Sequence, residues 1–351
     1  MAVIVPSGWG NYKVVTISAA TVDEALTDFP LLLAADDDTG IGAHARADGH
    51  DLRVRGEDSE VDLAYEREQW DVSGGATTLR VWCSVPSISA IVDTVVYSIY
   101  GKSDASDGQS ASSVWDSNFK GVWHAKEATG VNWADSTSNA NTGTNNGVTA
   151  TTGKVDGAGS FDGGYDYVQT SNSLLVNTAD PEQGTVSAWV QLRGYNSYSH
   201  IFTKGVYYFD VNVGSAGYIA IYVDPVGTYT STAIIPSNNT WHHLSVTWNA
   251  DGSIIYLDGG VAGTSAVTHD DMTAAGNSGN VYIGGLLNYS GYTINGTLDE
   301  PRISAIARSA AWIKFEYANM GNAGNETTWG SEQSAGVPFY PWIHRRRRRA
   351  A

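Results

Sequence analysis

GTVSAWVQL, residues 184–192, combines β-branched and aromatic residues without a proline or a charged side chain, which is typical of a β-strand. The stretches HLSVTW (243–248) and IIYL (254–257) have the same character. Strand-like runs of this kind extend from residue 121 to about residue 303, and turn-forming segments separate them. They predict a large β-sandwich in this part of the chain.

A second series of short strand-like runs precedes it, over residues 9–100, and a Ser-, Asp- and Gly-rich segment at 101–114 separates the two series. We therefore predict an all-β fold with two β-sandwich domains, residues 1–114 and 115–334, and a C-terminal tail, residues 335–351. One stretch, 309–319, has helical spacing of its apolar residues and a serine that can cap its N-terminus. We expect this C-terminal helix to pack against the second sandwich.

Composition narrows the classes of function. The 351 residues include 39 Gly, 19 Tyr and 12 Trp, and the net charge is −17 although five of the 20 basic residues form one run near the C-terminus. The body of the chain is therefore acidic, which excludes nucleic acid as its expected ligand. The single cysteine, Cys83, alternates with polar residues and is predicted to face a core.

The sequence shows no recognisable targeting signal. The N-terminus lacks the basic start and apolar run of a secretory signal, and no apolar stretch approaches about 18 residues. We expect no membrane span and no export address.

Several motifs carry a family resemblance. The second region resembles a laminin-G-like jelly roll of the concanavalin A-like superfamily, through GSFDGGYDYV (159–168), GTVSAWVQL (184–192), TWHHLSVTWN (240–249), VYIGG (281–285) and GTLDEPRISAIARS (296–309). The preceding region, with FPLLL (29–33), LAYEREQWD (63–71) and RVWCSVPSIS (80–89), resembles an uncharacterised β-domain that often precedes this jelly roll in bacterial and phage surface proteins.

The resemblance bears on the stretch SFDGGYDYVQ, residues 160–169, in which two aspartates flank a Gly-Gly pair. Local spacing alone favours a tight turn. The family pattern implies that the FDG and LDE strands are neighbours, which would bring Asp162 to Asp299 and suit a structural Ca²⁺ ion. The alternative is that Asp162 closes a turn while Asp299 and Glu300 pair with Arg302 or cap the loop before the helix.

Catalysis has weak support. The segment EVDLAYE would place Glu60, Asp62 and Glu66 on one strand face, and a retaining glycosidase needs two carboxylates about 5–5.5 Å apart. The segment lies outside the predicted jelly roll, however, and the same alternation describes a half-buried strand with solvated acids. A possible metal pair, His124 and Glu127, has no third ligand in register. We predict a protein that is not an enzyme, with a glycoside hydrolase as a distant alternative.

Binding has better support, from tyrosines in predicted loops. A tyrosine offers a flat apolar face to a sugar ring and a hydroxyl group that can hydrogen-bond to it. The alternative is that these side chains cover the rim of the sandwich or a subunit interface. The candidate glycan-binding residues are Tyr195, Tyr198, Tyr229, Tyr289 and Tyr292.

The C-terminal tail offers aromatic anchors followed by an arginine run, which can pair with an acidic surface. A nucleic-acid or nuclear tag and a merely solvated tail are the alternatives. We predict that the tail attaches the chain to a neighbouring copy or to other subunits of an assembly, through Trp342, Arg345, Arg346, Arg347, Arg348 and Arg349.

Two classes of function follow. The first is a surface-displayed adhesion or glycan-binding protein, namely a decoration or fibre protein of a phage virion, which binds polysaccharide and forms an oligomer. The second is a purely structural protein of a particle or a cell surface, without a glycan ligand. The virion is the expected location, and the cell surface or extracellular space is the alternative.

Overall fold

The structure is a computed structural model that describes residues 3–170, 183–205, 209–223, 227–266, 279–287, 289–321 and 326–335. The N-terminal part contains β1 (Asn11–Ile17), β2 (Leu26–Asp38), the short helix α1 (Thr39–His44), β3 (Arg53–Gly56), β4 (Tyr65–Ser73), β5 (Ala76–Ile88) and β6 (Thr94–Tyr100). The central part contains β7 (Phe119–Val122), β8 (Thr144–Asn146), β9 (Thr149–Thr152), β10 (Gly157–Asp162), β11 (Tyr167–Gln169), β12 (Gly184–Gly194), β13 (Tyr198–Lys204), β14 (Phe209–Gly214), β15 (Tyr218–Val223), β16 (Gly227–Ile234), β17 (Trp241–Asn249), β18 (Gly252–Leu257), β19 (Gly260–Ser265), β20 (Val281–Ile283) and β21 (Asn295–Ser304). The C-terminal part contains α2 (Ala310–Gly321), β22 (Thr327–Trp329) and β23 (Gln333–Ser334).

The central strands form a jelly-roll sandwich of two antiparallel sheets. One sheet has the order β19-β18-β17-β12-β21-β10-β9, with β7 also paired to β21, and the other has the order β16-β15-β14-β13-β20-β11-β8. Strand β12 shows how the sequence builds this arrangement, because Val186, Ala188 and Val190 face the core between the sheets while Ser187 and Trp189 alternate to the outer face.

The N-terminal strands form a second, smaller sandwich. Its sheets have the orders β22-β1-β6-β3 and β2-β5-β4, and Cys83 is a free, fully buried residue of its core. The all-β fold with two sandwiches is confirmed, as is the inward position of Cys83. The register of β1 with β22, in which Val15 pairs with Trp329, brings the end of the described chain back to the first sandwich. The domain limits at 114 and 334 stay a prediction.

Helix α2 lies between the two sandwiches. Ser309 caps it, since its Oγ accepts a hydrogen bond from the backbone N–H of Trp312 at 3.2 Å. Trp312 packs on Phe29 of the first sandwich, with ring centroids 4.7 Å apart, and Tyr317 packs on Trp189 of the jelly roll at 5.6 Å. The expected packing of the helix against the second sandwich is present, and the contact with the first sandwich is additional. Neither helix in the described ranges has the length and apolar character that would let it cross a membrane.

The outer face of the larger jelly-roll sheet is buried although its side chains are mostly polar. Ser187, His243, Asp299 and Arg302 all lie on this face and are at most 3% exposed. The sheet β2-β5-β4 and helix α2 cover them, so the contact between the sandwiches is a buried polar layer. Because buried polar groups need specific partners, this layer is one candidate location for a functional site.

Candidate functional site

Three loops meet at one end of the jelly roll. The side-chain amide of Asn196 donates to the carbonyl of Gly163, at 2.9 Å, and to the carbonyl of Thr293, at 2.8 Å. It thereby ties together the turn after β10, the loop before β13 and the loop before β21. Rigid loops on a sandwich end are typical places for ligand binding.

Three of the predicted tyrosines form a cluster there, which we call the tyrosine cluster: Tyr198, Tyr289 and Tyr292. The rings of Tyr198 and Tyr292 are stacked, with centroids 5.6 Å apart and an interplanar angle of 25°, and Tyr289 meets Tyr292 edge-on at 5.6 Å. Tyr198 and Tyr289 remain 49% and 40% exposed, so the cluster presents aromatic surface to solvent.

The floor of the cluster is polar and buried. His200, 1% exposed, stacks under Tyr292 at 5.3 Å and pairs with Asp210 through its Nδ1 atom. Thr203 donates a hydrogen bond to the same carboxylate at 3.1 Å. Packing from below therefore fixes the ring of Tyr292, which reduces the entropy that a ligand would otherwise have to remove.

The other two predicted tyrosines have structural contacts. The hydroxyl of Tyr195 donates to the carbonyl of Ile235 at 2.7 Å and accepts from the N–H of Ser237 at 3.0 Å. Tyr229 is half-buried against the jelly-roll core. For these two residues the structure favours the alternative, coverage of the sandwich rim.

The register between β10 and β21 separates the predicted calcium ligands. Asp162 pairs with Asn295, whereas Asp299 follows Leu298, the partner of Gly159, so the two aspartates lie about four positions apart along the ladder. Asp162 accepts from the N–H of Gly164 at 2.7 Å, and Asp299, fully buried, accepts from the N–H groups of Lys154 and Val155. The structure does not bring the two carboxylates together, and calcium binding stays a prediction without a common site.

Arg302 is the centre of the buried layer between the sandwiches. Its guanidinium lies 4.5 Å from the ring of Trp82 and 4.9 Å from that of Trp115, and it bridges Glu300, at 2.6 Å, to Glu316, at 2.9 Å. The pairing of Glu300 with Arg302, one of the two alternatives to a calcium site, is thus present. Such a cation between two indoles is strongly held in one position.

Four side chains of the layer, Glu300 and three others, form what we call the carboxylate–histidine cluster: Glu66, Glu68, His124 and Glu300. The Nδ1 atom of His124 is 2.6 Å from Glu300 and 3.4 Å from Glu68, and its Nε2 atom is 3.3 Å from Glu66. The prediction that Glu66 lies on a solvated strand face is wrong, because the first sandwich turns this face toward the jelly roll and only 8% of the residue is exposed.

Electrostatics within this cluster are strong. Burial and then repulsion from Glu300 raise the pKa of Glu68 to about 8. Burial also disfavours the charged forms of His124 and Glu66. Attraction between these two groups, together with their other partners, outweighs this effect of burial. The pKa of His124 is held well above its ordinary value and the pKa of Glu66 falls to about 2.

Sequence reasoning missed this cluster because its members come from separate parts of the chain. Two β-bulges aim the carboxylates: Glu68 is the extra residue between Arg67 and Gln69 on β4, and Glu300 lies in the bulge of β21 with a positive φ of 52°. Glu127, the partner that the sequence suggested for His124, accepts instead from the N–H of Ala134 at 2.8 Å. The tail residues Trp342 and Arg345–Arg349 lie outside the described residues.

Comparison with known proteins supports the jelly-roll assignment. A family model of the concanavalin A-like lectin/glucanases superfamily, of the laminin-G type, matches residues 162–314. This range contains the tyrosine cluster and Glu300. The resemblance of the preceding region to an uncharacterised β-domain stays a prediction. No curated protein matches the chain.

Solved structures with similarity to the chain include domain 4 of an extracellular arabinanase from Geobacillus stearothermophilus, in complex with arabinotriose, at 17% identity and a TM-score of 0.45, covering 56% of this chain and 97% of that domain. The binding domain of Paraclostridial Mosquitocidal Protein 1 is similar at 13% identity and a TM-score of 0.46, covering 58% of this chain and 53% of that one. A sialidase from Trypanosoma rangeli is similar at 11% identity and a TM-score of 0.47, covering 76% of this chain and 46% of that one. The last two matches span about half of the other protein.

Proposed function

We propose that this protein is a non-catalytic glycan-binding protein and that its jelly roll holds the sugar at the tyrosine cluster. The observation that carries the proposal is the stacked pair Tyr198 and Tyr292, with Tyr289 edge-on beside it, at a solvent-exposed loop end. The match to a lectin/glucanase superfamily over the same residues supports it.

The chemistry of this surface suits a sugar ring. One face of a pyranose or furanose carries C–H groups that pack on an aromatic ring, and the tyrosine hydroxyls hydrogen-bond to sugar hydroxyls. The loops that carry the cluster are already fixed through Asn196 and the packed ring of Tyr292. Binding therefore needs little further ordering of the protein.

Cleavage is not part of the proposal. The two acids in the turn after β10, Asp162 and Asp166, are engaged in that turn. Asp162 accepts from the N–H of Gly164, and Asp166 accepts from the N–H of Asp162 at 2.8 Å. Burial raises the pKa of Asp166 against the lowering effect of the hydrogen bond from the backbone N–H of Asp162, and repulsion from the Asp162 carboxylate adds to the rise. These contacts fit a turn that shapes the rim.

The first test combines binding and product analysis. The purified full chain is applied to a glycan array, and every bound glycan is then incubated with the protein and examined for new reducing ends. We expect binding without release of sugar. Reducing ends that disappear in Asp166→Asn would instead assign a hydrolase, and an array without any bound glycan would contradict the proposed function.

The proposed setting is a phage virion, where the protein serves as a decoration or fibre subunit and the tail, residues 335–351, contacts other subunits. The predicted resemblance of the preceding region to a β-domain of bacterial and phage surface proteins motivates this part. A mass-spectrometric search for the chain in purified particles and in cell-surface fractions tests it. Peptides in the cell-surface fraction alone would favour an adhesin of the cell.

A further inference from the structure

We propose that Glu68, His124 and Glu300 form a binding site for one divalent metal ion of the zinc class, between the two sandwiches. Their ligand atoms all lie within 4.8 Å of one another and all three residues are buried. Glu68 comes from the first sandwich, while His124 and Glu300 come from the jelly roll. The site is separate from the glycan surface and does not depend on the proposed function.

The distances are close to those of a coordination shell. Tetrahedral ligands at about 2.1 Å from a zinc ion stand about 3.4 Å apart. The Nδ1 atom of His124 is 3.4 Å from an oxygen of Glu68, which fits directly, and 2.6 Å from an oxygen of Glu300. A metal bound to Nδ1 would replace the proton on that nitrogen. The distance from Nδ1 to the Glu300 oxygen would then have to lengthen by less than about 1 Å.

The surrounding groups resemble the outer shell of a metal site. The other ring nitrogen of His124, Nε2, lies 3.3 Å from Glu66 without a hydrogen bond among the described residues. Metal-binding imidazoles use such a neighbouring carboxylate as the acceptor for their second ring N–H. Glu66 is itself held by the hydroxyl of Ser136 at 2.7 Å and by the indole of Trp115 at 3.2 Å. The indole of Trp82 donates to Glu68 at 2.6 Å.

One atom of the cluster points independently to a ligand. The Oε1 atom of Glu68 is buried and has no hydrogen-bond partner among the residues that the structure describes. An unsatisfied carboxylate oxygen in a buried site costs free energy, and coordination to a cation removes that cost. With both oxygens of Glu68 bound to the metal, His124 and Glu300 complete a set of four ligand atoms.

Charge and donor type select the metal. Glu66, Glu68 and Glu300 surround the imidazole of His124, and Arg302 pairs with one of the three, Glu300. A cation that displaces the protons of His124 Nδ1 and Glu68 therefore meets net negative charge. An imidazole nitrogen is not a ligand that Ca²⁺ or Mg²⁺ prefers, and the cluster offers no thiolate for a softer metal. One nitrogen with two carboxylates suits Zn²⁺ or a similar first-row ion.

The test uses zinc alone and the full chain. The chain is refolded from denaturant with Zn²⁺ or with a chelator, because the buried ligands are accessible before the sandwiches meet, and is then desalted and analysed for metal. We expect about one zinc ion per chain, and at least about tenfold weaker zinc binding in Glu68→Gln. His242→Gln is the matched control, since His242 pairs with Asp258 at 2.8 Å outside the cluster.

X-ray absorption on the zinc-loaded wild type keeps the test decisive if Glu68→Gln does not fold. We expect one imidazole nitrogen and two or three oxygens around the zinc. A wild type that retains no zinc, zinc bound by two or more imidazoles, or zinc lost in His242→Gln but kept in Glu68→Gln would overturn the proposal. If the wild type retains no zinc, the Nδ1 atom of His124 keeps its proton and the site binds no metal.

Discussion

Arg302 shows at the scale of one residue how a buried charge joins the two sandwiches. The sequence could predict its pairing with Glu300, two positions away on the same strand, but not its two indole neighbours, which come from distant segments. We predict that Arg302→Gln lowers the free energy of unfolding by about 3–5 kcal/mol, because Glu300 and Glu316 lose their buried partner.

Urea unfolding of the two proteins measures this difference. Lys314→Gln is the control, since Lys314 and its partner Asp23 are each more than half exposed and such pairs contribute at most about 1 kcal/mol. Equal losses in the two variants would contradict the importance of the guanidinium.

His243 is a second residue with a measurable consequence. Burial lowers the pKa of this histidine to about 4, against an ordinary value near 6.5. Between these values the unfolded chain binds a proton that the folded chain does not, so stability is full above pH 6.5 and falls as the pH drops toward 4. We predict a loss of up to about 3 kcal/mol from this group.

Other carboxylates titrate in the same window, so the comparison is between wild type and His243→Gln, unfolded in urea from pH 7.5 to pH 4.5. The difference between the two proteins should shrink as the pH falls. A constant difference over this range would show that His243 is not held neutral.

Helix α2 contacts the edge strand β2 of the first sandwich. Its Asn319 accepts from the N–H of Leu32 at 2.8 Å and donates to the carbonyl of the same residue at 3.1 Å, which closes the free edge of strand β2. We predict that Asn319→Leu destabilises the protein by about 2–4 kcal/mol, because two buried backbone groups lose their partners.

Thermal and urea unfolding test this prediction, with Lys314→Leu on the exposed side of the same helix as the control. A loss in Asn319→Leu no greater than in the control would mean that β2 does not need this contact.

Elements also show what the sequence can and cannot predict. β-Branched and aromatic residues in strands such as β12 predicted the sandwiches, and Ser309 predicted the start of α2, because these signals are local. The bulges at Glu68 and Glu300 leave no such signal, since one extra residue in a strand changes the aim of a side chain without changing composition. The register that separates Asp162 from Asp299 could not be predicted either, because the pairing of two distant segments leaves no local signal in the sequence.

The whole molecule is expected to behave as one cooperative unit. The buried layer and the return of β22 to β1 connect the sandwiches, so we predict a single unfolding transition for the described body. Tryptophan fluorescence and circular dichroism should report the same midpoint in urea. Two separated transitions would show that the sandwiches unfold independently.

The tail gives a further prediction at this scale. Deleting residues 336–351 should leave both sandwiches folded while reducing self-association or incorporation into particles, and the effect of the full-length tail should weaken with salt because exposed charges are screened over about 8 Å at physiological ionic strength. Sedimentation velocity at low and high salt measures this. Assembly of the shortened chain equal to that of the full chain at both salt concentrations would remove the tail from the interface.

We propose that the jelly roll binds a glycan through the tyrosine cluster. The most direct test of this proposal is calorimetric titration of the best glycan from the array into wild type, Tyr292→Ala and Tyr12→Ala. Tyr12 is the matched control because it is also half-buried and meets another tyrosine, Tyr97, edge-on, at 6.1 Å, in the other sandwich. We predict that Tyr292→Ala weakens binding by at least about tenfold and that Tyr12→Ala leaves it unchanged. Equal affinity of wild type and Tyr292→Ala, with both proteins folded, would contradict the proposal.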